Sequence, residues 1–545
     1  MVTREQFRSA GNRAIKNVIR HGDTDIFPFT FESHSFFDKQ SQILELIVEY
    51  DENFDTYLAR YPPNHVSSLT PVTYSGFRWA TQLDPIWNLY FLTCVLSIAD
   101  LIELQRMPIQ DKAVFSYRYN YDDKTGDLFD RTIGWHEFIR TSEEYSLNNN
   151  FVVVCDISEF YPRLGHHRLE NALKHVAGGT QYPKNIMAFL SNFTNTNSFG
   201  LPVGGPAARL LSELTINQID RLLHVDGVTF ARFADDYHLF ARTRDEAYRI
   251  LIYLSDKLYL NQGLTLQKSK TRIMSSAEFR ATSPLAGRDL VAPEEEGEAV
   301  AASHKANQLL QFSLRFDPYS PSAQEDYEHL KEEVRRFDIV LLLKEELLKS
   351  RVHLALARKI VSAVRYLDDN SKNDAILSIV DNCDLLYPIL SSVLLTLSQV
   401  FAELFEKTKI ETASKLSKLI REDSHVFRVD IHLAYAIRVL SHLPSPDNEL
   451  LLHRTYMQRE SPLIRRDIII IMANWGISYW LSDLKNQFRQ LSGPERRAFI
   501  VASYKLRDEG SHWRNNIKDE LNPFEKTVLN WASEKAQVPN WRIPL

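Results

Sequence analysis

The stretch FARFADDYHLF occupies residues 230–240 and carries two adjacent carboxylates, Asp235 and Asp236, between two apolar, aromatic-rich arms. This pattern predicts a strand, a tight turn and a second strand, with the acids at the tip of the hairpin. Carboxylates held rigidly in this way suit Mg²⁺, which prefers hard oxygen ligands. Two further Asp-Asp pairs, at 122–123 and 368–369, lie in polar surroundings typical of solvated turns. Context therefore singles out the middle pair.

A third carboxylate follows another predicted strand. The β-branched, uncharged run of residues 151–155 is typical of a buried strand and ends at Asp156. The chain between Asp156 and Asp235 is long enough for a helical crossover, so the two strands can be sheet neighbours. Carboxylates from both strands would then bridge two metal ions about 4 Å apart, as in-line phosphoryl transfer requires. The alternative, a capping Asp and a solvated hairpin tip, stays open for either segment alone.

Two weaker motifs complete the pattern. Residues 200–208 read GLPVGGPAA and lead into a helix pattern, so small residues there let the backbone approach a flat or phosphate-bearing ligand closely. Residues 264–273 form a basic, strand-like segment that contains Lys270. By themselves these are an ordinary turn and a solvated strand.

The four pieces resemble motifs of the reverse transcriptase palm when they are taken in chain order. Asp156 with residues 160–161 resembles motif A, residues 200–204 motif B, residues 233–236 motif C and residues 270–271 motif D. Residues 77–85 and 115–119 resemble fingers elements that precede motif A, and residues 22–28, GDTDIFP, are similar to the abortive-infection and defence-associated bacterial reverse transcriptases. The resemblance implies an α+β fold: fingers and palm over residues 1–290, an acidic linker over 291–306 and an all-α, HEAT-like domain over 307–545.

The resemblance also implies a role for each site residue. Asp156 and Asp235, with Ile157 as a further ligand, would hold two Mg²⁺ ions, with Mn²⁺ as an alternative, and Asp236 would be the weaker carboxylate. These groups would catalyse nucleotidyl transfer from deoxynucleoside triphosphates.

Four further residues would serve the nucleotide. Tyr161 would be the ring that excludes a 2′-hydroxyl, Arg78 would bind the triphosphate through its planar fork of donors, and Gly204 would lie in the nucleotide site. Lys270 would protonate the departing pyrophosphate, although an ordinary surface lysine is an equally good interpretation.

Two departures from the family pattern bear on templating. Phe233 stands where most members have Tyr, and Val203 stands where most have a Gln that contacts the template or the incoming nucleotide. Because Val cannot form that hydrogen bond, template contact is the function most in doubt. Some members of the defence subgroup synthesise DNA without a template, starting from a protein tyrosine hydroxyl.

Composition sets outer limits on these interpretations. The chain has 545 residues, three widely spaced cysteines and a net charge of −6. The spacing of the cysteines leads us to expect no disulfide and a reducing cytoplasm. No charged-then-apolar leader opens the sequence, so we expect no secretion. A net negative charge is unusual for a protein that holds a polyanion, because duplex binding draws mainly on Lys and Arg. Either a local basic groove exists, or the protein holds little nucleic acid beyond its own product. That product would be single-stranded DNA, covalently attached to the protein if a tyrosine primes synthesis.

Beyond residue 307 helix-length apolar periodicities replace strand signals. Paired amphipathic helices predict a HEAT-like stack, although no clean repeat is visible. Predicted helices cover residues 334–348, 352–367, 375–405, 410–420, 426–443, 463–481 and 498–506. The uncharged segment 385–402 is marginal for a membrane span and is better explained as a buried helix pair broken near Pro388, so we expect no membrane contact. The family resemblance adds a homo-oligomer, a trimer or hexamer.

Three functions compete on this evidence. The leading one is a reverse transcriptase-type DNA polymerase in anti-phage defence, protein-primed and working without a template. The second is an RNA-directed DNA polymerase that copies a partner noncoding RNA into a defence cDNA. The third is a non-catalytic scaffold with a relic palm, which the intact Asp156, Asp235 and Tyr161 disfavour.

Overall fold

The computed structural model describes residues 3–194, 197–283, 306, 308–309 and 330–545. Within these ranges the chain combines small antiparallel sheets with many helices and continues as helices only, so the α+β layout with a large helical C-terminal region is confirmed. The predicted linker 291–306 lies outside the described residues except for Ala306, as do most of residues 307–329.

Helices and a hairpin form the N-terminal part. Helix α1 begins at a capping box in which Thr3 and Gln6 satisfy each other's backbone N–H groups. The helices are α1 (Arg4–His21), α2 (Glu32–Asp38), α3 (Gln40–Glu52), α4 (Phe54–Arg60), α5 (Pro85–Leu96), α6 (Ala99–Gln105) and α7 (Trp135–Leu147). The strands are β1 (His65–Pro71) and β2 (Phe77–Leu83), which pair, and β3 (Tyr119–Asp122) and β4 (Asp127–Phe129), which pair.

Helix α5 is buried along its whole length, so its apolar run belongs to the core. Among the described residues no single helix is long and apolar enough to cross a membrane. The bent pair α5 and α6, with an angle of 49° between the helices, passes that test by length and composition only.

A four-stranded antiparallel sheet lies at the centre of the site. Its strands are β5 (Phe151–Asp156), β6 (Thr229–Phe233), β7 (Asp236–Ala241) and β8 (Arg272–Ser275), in the spatial order β6-β7-β5-β8. The β5 strand therefore lies beside β7, as the crossover argument requires. The connecting helices are α8 (Phe160–Arg163), α9 (His166–Ala177), α10 (Tyr182–Phe193), α11 (Pro206–Val225), α12 (Arg244–Gln262) and α13 (Ser276–Ala281).

The C-terminal half is helical throughout its described part. Most helices pack against the helix two further along the chain, which is the pattern of a two-layered stack. They are α14 (Ile339–Leu347), α15 (Leu354–Ala363), α16 (Asp369–Asp381), α17 (Leu390–Val400), α18 (Glu406–Arg421), α19 (Asp430–Leu440), α20 (Pro446–Gln458), α21 (Pro462–Asn474), α22 (Ser478–Lys485), α23 (Gly493–Ala502), α24 (Arg507–Ile517) and α25 (Pro523–Lys535).

The break predicted near Pro388 is confirmed, whereas the predicted helix 463–481 is wrong as a single element. The segment 375–405 is divided between α16 and α17, and a short 3₁₀ turn, Tyr387–Ile389, contains the proline that separates them. The segment 463–481 breaks between α21 and α22, where Gly476 adopts a left-handed φ of +76°. Glycine is the residue that tolerates this conformation at a helix end.

Buried ion pairs and aromatic contacts join the two halves. Arg497 of α23 binds Glu32 of α2 at 2.7 Å and Asp84, the N-cap of α5, at 2.8 Å. The Trp531 ring N–H donates to Asp38 at 2.7 Å. The C-terminal helices therefore support the N-terminal segment that leads into the site.

Candidate active site

The hairpin tip is held by its own backbone and by Arg232. Ala234 lies in the left-handed region at φ +53°, which makes the turn between β6 and β7 tight. The Arg232 guanidinium donates to the Ala234 carbonyl at 2.9 Å. Asp235 and Asp236 therefore project from a rigid turn.

The register of the sheet brings Asp156 to this tip. Asp156 is the direct cross-strand partner of Asp236, and directly opposite residues in antiparallel strands have Cα atoms about 4.5–5.5 Å apart. The Ile157 N–H donates to the Asp235 carbonyl at 3.0 Å. The structure thus places the predicted motif A and motif C acids side by side.

Like charges in this cluster shift its titration. Burial, then Asp235 and Asp156, raise the pKa of Asp236 to about 7. Burial and Asp156 also raise the pKa of Asp235. Lys270 and Arg78 act in the opposite direction on both carboxyls. The cluster is an under-compensated acidic site, in which three carboxylates share Lys270 and Arg78, and it favours a further cation.

Lys270 lies against the cluster. Its ammonium donates to Asp156 Oδ2 at 2.5 Å, and the preceding Gln267 N–H donates to the Asp156 carbonyl at 2.8 Å. Burial favours the neutral amine, but the hydrogen bond and charge of Asp156 outweigh it and raise the pKa of Lys270. Lys270 therefore keeps its proton beside the acids, and its catalytic role stays a prediction.

The donor chemistry fits a divalent cation, although no cation cage is preformed. Within the described ranges, no group of three or more His, Cys, Asp or Glu side chains is arranged to hold a metal ion. Carboxylates and a backbone carbonyl are nonetheless the ligands that Mg²⁺ takes, usually with waters and substrate phosphates completing the shell. Asp156, Asp235 and the Ile157 carbonyl are the groups that would hold it.

Arg78 reaches the site from the β1–β2 hairpin. It is exposed on β2 and forms no ion pair in the described part of the chain, yet it lies close enough to lower the pKa of Asp235 and Asp236. The Thr81 N–H of the same strand donates to the Val203 carbonyl at 3.2 Å. This bond links the strand that bears Arg78 to the loop that precedes α11.

Gly204 packs against the N-terminal segment. It adopts φ +122°, and a Cβ on it would collide with Thr24 Oγ1. Glycine is therefore required here both by conformation and by the close approach of residues 22–28. Its predicted contact with a nucleotide stays a prediction.

Tyr161 follows β5 and lies beside the acids. Its carbonyl accepts from the Leu201 N–H at 2.9 Å, which ties α8 to the 200–205 loop. Burial, then Tyr117, raise the pKa of its hydroxyl well above the ordinary value. Tyr161 is thus tied to the Gly-rich loop through its backbone, and its hydroxyl interacts with Asp235 of the acidic tip.

Sequence reasoning missed a buried charge cluster behind the hairpin, the Arg232 cluster, made of Arg106, Glu213, Asp220 and Arg232. Arg232 pairs with Glu213 at 2.8 Å and with Asp220 at 2.6 Å, and Arg106 pairs with Glu213 at 2.6 Å. All four side chains are at most 1% exposed. The available signal was an arginine inside an apolar strand, since a buried charge needs buried partners.

It also missed Asp25, Tyr117 and Arg209. Arg209 Nη2 binds Asp25 Oδ2 at 2.5 Å, and its guanidinium lies 5.1 Å from the Tyr117 ring centroid. Residues 22–28 and 115–119 were recognised only as motifs, and nothing in their spacing to α11 predicts this contact.

Comparison with protein-family models identifies the type of domain. Residues 111–305 match the family model of the reverse transcriptase (RNA-dependent DNA polymerase), so this segment is a reverse transcriptase-type domain. No curated protein is similar enough to be matched.

Solved structures that resemble the chain do so weakly. A telomerase from Candida albicans in complex with a fragment of telomeric RNA has 11% identity and a TM-score of 0.28, covering 67% of this chain and 70% of the other. An apo telomerase from Candida tropicalis has 10% identity and a TM-score of 0.28, covering 78% and 71%. A likeness of this size supports no argument about the present chain.

Proposed function

We propose that this protein is a DNA polymerase of the reverse transcriptase type, a nucleotidyltransferase that adds deoxynucleotides by metal-assisted phosphoryl transfer. We further propose that a tyrosine hydroxyl primes synthesis, that no template is needed, and that the cytoplasmic product acts in abortive defence against phage.

The observation that carries the polymerase proposal is the register pairing of Asp156 with Asp236 at the tip that holds Asp235. Structural acids in a protein interior are normally paired with cations. This cluster instead raises the pKa of Asp236 to about 7 through burial and neighbouring carboxylates. Such an arrangement costs free energy and is typical of a functional site.

Each neighbouring residue has a role in this proposal. Mg²⁺ held by Asp156, Asp235 and the Ile157 carbonyl would supply positive charge for the attacking hydroxyl and the departing pyrophosphate. Lys270 would carry a proton to the pyrophosphate. Arg78 would bind the triphosphate from the β1–β2 hairpin, and the Tyr161 ring would press against the sugar at C2′.

Priming and templating rest on the sequence resemblance and on Val203. The side chain of Val203 is buried and has no polar group to offer a template base. This supports synthesis without a template, and the alternative of copying a partner noncoding RNA is an outcome of the product test below.

The first test removes a proposed metal ligand. Asp235→Asn keeps the size of the side chain, and we expect incorporation of labelled deoxynucleotide to fall at least about 10²-fold, the loss that follows removal of one group stabilising transition-state charge. Asp226→Asn, an exposed acid just before β6, is the matched control and should retain full rate. Normal incorporation by the folded Asp235→Asn protein would remove the catalytic argument, and no incorporation by either protein or by the wild type would leave the scaffold function.

The second test examines the product. DNA that stays with the denatured protein until protease treatment would support tyrosine priming, and its sequence would distinguish the two polymerase functions. Random or biased composition supports untemplated synthesis, whereas one defined sequence together with a co-purified RNA supports the noncoding-RNA alternative.

Defence and assembly are tested separately. Cells that express the wild-type chain should resist phage, and cells that express Asp235→Asn should not. Mass photometry of the purified protein should give a trimer or a hexamer.

A further inference from the structure

The hydroxyl of Tyr161 is buried and has unused hydrogen-bonding capacity. Among the described residues Tyr161 Oη makes no hydrogen bond of good geometry, although it interacts with the nearby hydroxyl of Tyr117. The Tyr161 ring packs against Phe160 with the ring centroids 5.3 Å apart, and that contact does not engage its hydroxyl. The hydroxyl end of the Tyr161 ring is therefore oriented by its polar neighbours, of which Tyr117 and Arg209 interact with it.

Tyr117 is fixed in an uncommon conformation. Its φ is +46°, a left-handed value that a bulky residue adopts only when its surroundings impose it. The Arg106 guanidinium donates to its carbonyl at 2.8 Å, and its ring lies 5.7 Å from that of Phe233 beside the acidic tip. Backbone strain near a site is informative because it persists only where the fold holds it in place.

Arg209 and Asp25 hold the Tyr117 ring from the other side. The Arg209 guanidinium lies 5.1 Å from the ring centroid, within the range of a cation–π contact. Its Nη2 binds Asp25 Oδ2 at 2.5 Å. Asp25 follows Thr24, which packs on Gly204, so the N-terminal loop of residues 22–28 is seated on the 200–205 loop.

An ordinary stabilising role does not account for this arrangement. The Asp25 side chain is 59% exposed and that of Arg209 is 25% exposed, and ion pairs with such exposure are worth about 0–1 kcal/mol. A surface pair of that value does not explain why Arg209 also contacts Tyr117, a residue with a strained backbone.

We propose that Tyr117, held by Arg209 and Asp25, positions the Tyr161 ring, so that the N-terminal loop sets the preference for deoxynucleotides over ribonucleotides. This proposal rests on the proposed function, because it assigns positioning residues to the nucleotide site of that function. Tyr117 acts through Tyr161, and Asp25 acts through Arg209.

The experiment measures kcat/KM for one deoxynucleotide and for the matching ribonucleotide with the full chain. In Tyr117→Phe and Asp25→Asn we expect the preference for the deoxynucleotide to fall at least about 10-fold, the size that a single lost pocket contact produces. The change should come from a higher kcat/KM for the ribonucleotide, while the kcat for the deoxynucleotide changes less than about 3-fold. A merely structural role would instead lower kcat/KM for both substrates by the same factor.

Matched controls and a double variant sharpen the test. Asp55 forms a comparable exposed pair with Lys184 at 2.9 Å, so Asp55→Asn should leave the preference unchanged, as should Tyr145→Phe. Tyr161→Ala should admit ribonucleotides, and adding Tyr117→Phe to it should change nothing more, because both act on one ring.

The outcomes separate the two proposals. Wild-type incorporation with an unchanged preference in folded Tyr117→Phe and Asp25→Asn would overturn the positioning proposal and leave the polymerase intact. An additive effect of Tyr117→Phe in the Tyr161→Ala background would also overturn it. Absence of incorporation by the wild type would overturn both proposals.

Discussion

The two charge clusters of the β6–β7 hairpin differ in compensation. In the Arg232 cluster, burial would raise the pKa of Glu213, but Arg232 and Arg106 outweigh it and lower that pKa. At the tip, which is only a few residues after Arg232 in the chain, burial and Asp156 together raise the pKa of Asp235. The same hairpin thus carries one cluster in which every charge has a partner and one in which acids face acids.

This difference separates structure from function. A fully paired interior cluster specifies how β6 packs on α11, because any other packing would leave a charge without a partner. An under-compensated cluster does not stabilise the fold and is retained for what it binds. Compensation, rather than burial or charge alone, distinguishes the scaffold from the site.

The largest expected effect comes from breaking the Arg232 cluster. Arg232→Met removes one buried partner and leaves Glu213 and Asp220 under-compensated, so we expect the free energy of unfolding to fall by about 3–5 kcal/mol. Urea unfolding measures this loss. Arg249→Ala, which removes an exposed pair with Asp245 whose side chains are 71% and 85% exposed, should cost less than about 1 kcal/mol. Equal losses in the two variants would show that the cluster is not the anchor of the hairpin.

The next largest effect concerns the Lys270 ammonium beside the acidic tip. Lys270→Met removes the ammonium that lies 2.5 Å from Asp156 Oδ2, and we expect kcat for nucleotide addition to fall about 10²-fold, the lower range for loss of a general acid. Single-turnover rates measure the chemical step. Lys268→Met, an exposed lysine two residues earlier, is the control. A full rate in Lys270→Met would leave the residue as a surface ion pair only.

Sequence reasoning captured local patterns and missed partners distant along the chain. The alternation in residues 230–240 and the run ending at Asp156 predicted strands, because side-chain periodicity is a local property. Strand order was open, since only the fold decides that β5 lies between β7 and β8. Arg232 inside an apolar strand was a usable signal for a buried charge, but its partners and Arg106 carried none because they are not adjacent to it in sequence.

The helical half shows the same limit. Apolar periodicity predicted that it is helical, and Pro388 predicted the break between α16 and α17, but periodicity merged α21 with α22. Gly476 was the available signal for the second break, and periodicity averages over it. The Asp25–Arg209 contact had no signal at all in a single sequence, because each residue reads as an exposed charge.

Asp23, a buried acid outside both clusters, extends the comparison to the dependence of stability on pH. Burial raises the pKa of Asp23 to about 6, and a hydrogen bond from Gln82 at 3.3 Å, a backbone hydrogen bond and the charge of Arg466 offset it only in part. Because the folded-state pKa of Asp23 lies above the unfolded-state pKa, its stabilising contribution is complete below about pH 4 and is lost as pH rises through 6.

The substitution Asp23→Asn removes this pH dependence. Each unit of pKa difference is worth about 1.4 kcal/mol, so the free energy of unfolding of Asp23→Asn should rise by about 1–3 kcal/mol relative to that of the wild type between pH 5 and pH 8.

Urea unfolding at the two pH values checks this prediction. The matched control is Asp122→Asn, because the Lys124 backbone N–H and Thr125 lower the pKa of Asp122, which is fully exposed. The difference in free energy of unfolding between Asp122→Asn and the wild type should be the same at both pH values. A constant difference for Asp23→Asn as well would mean that its carboxyl is compensated like Glu213.

The smallest effect is expected where the contact is neutral. The Tyr74 hydroxyl, in the loop between β1 and β2, donates to the Leu385 carbonyl at 2.7 Å and accepts from the Val352 N–H at 3.1 Å. Tyr74→Phe should therefore cost about 1 kcal/mol and raise hydrogen exchange at the Val352 amide. Tyr479→Phe removes an exposed bond to Glu449 and should change neither. If Tyr74→Phe leaves exchange at Val352 unchanged but alters KM for the nucleotide, the bond acts on the strand that bears Arg78 rather than on the helical half, and a neutral contact would then matter to the site as much as a charge.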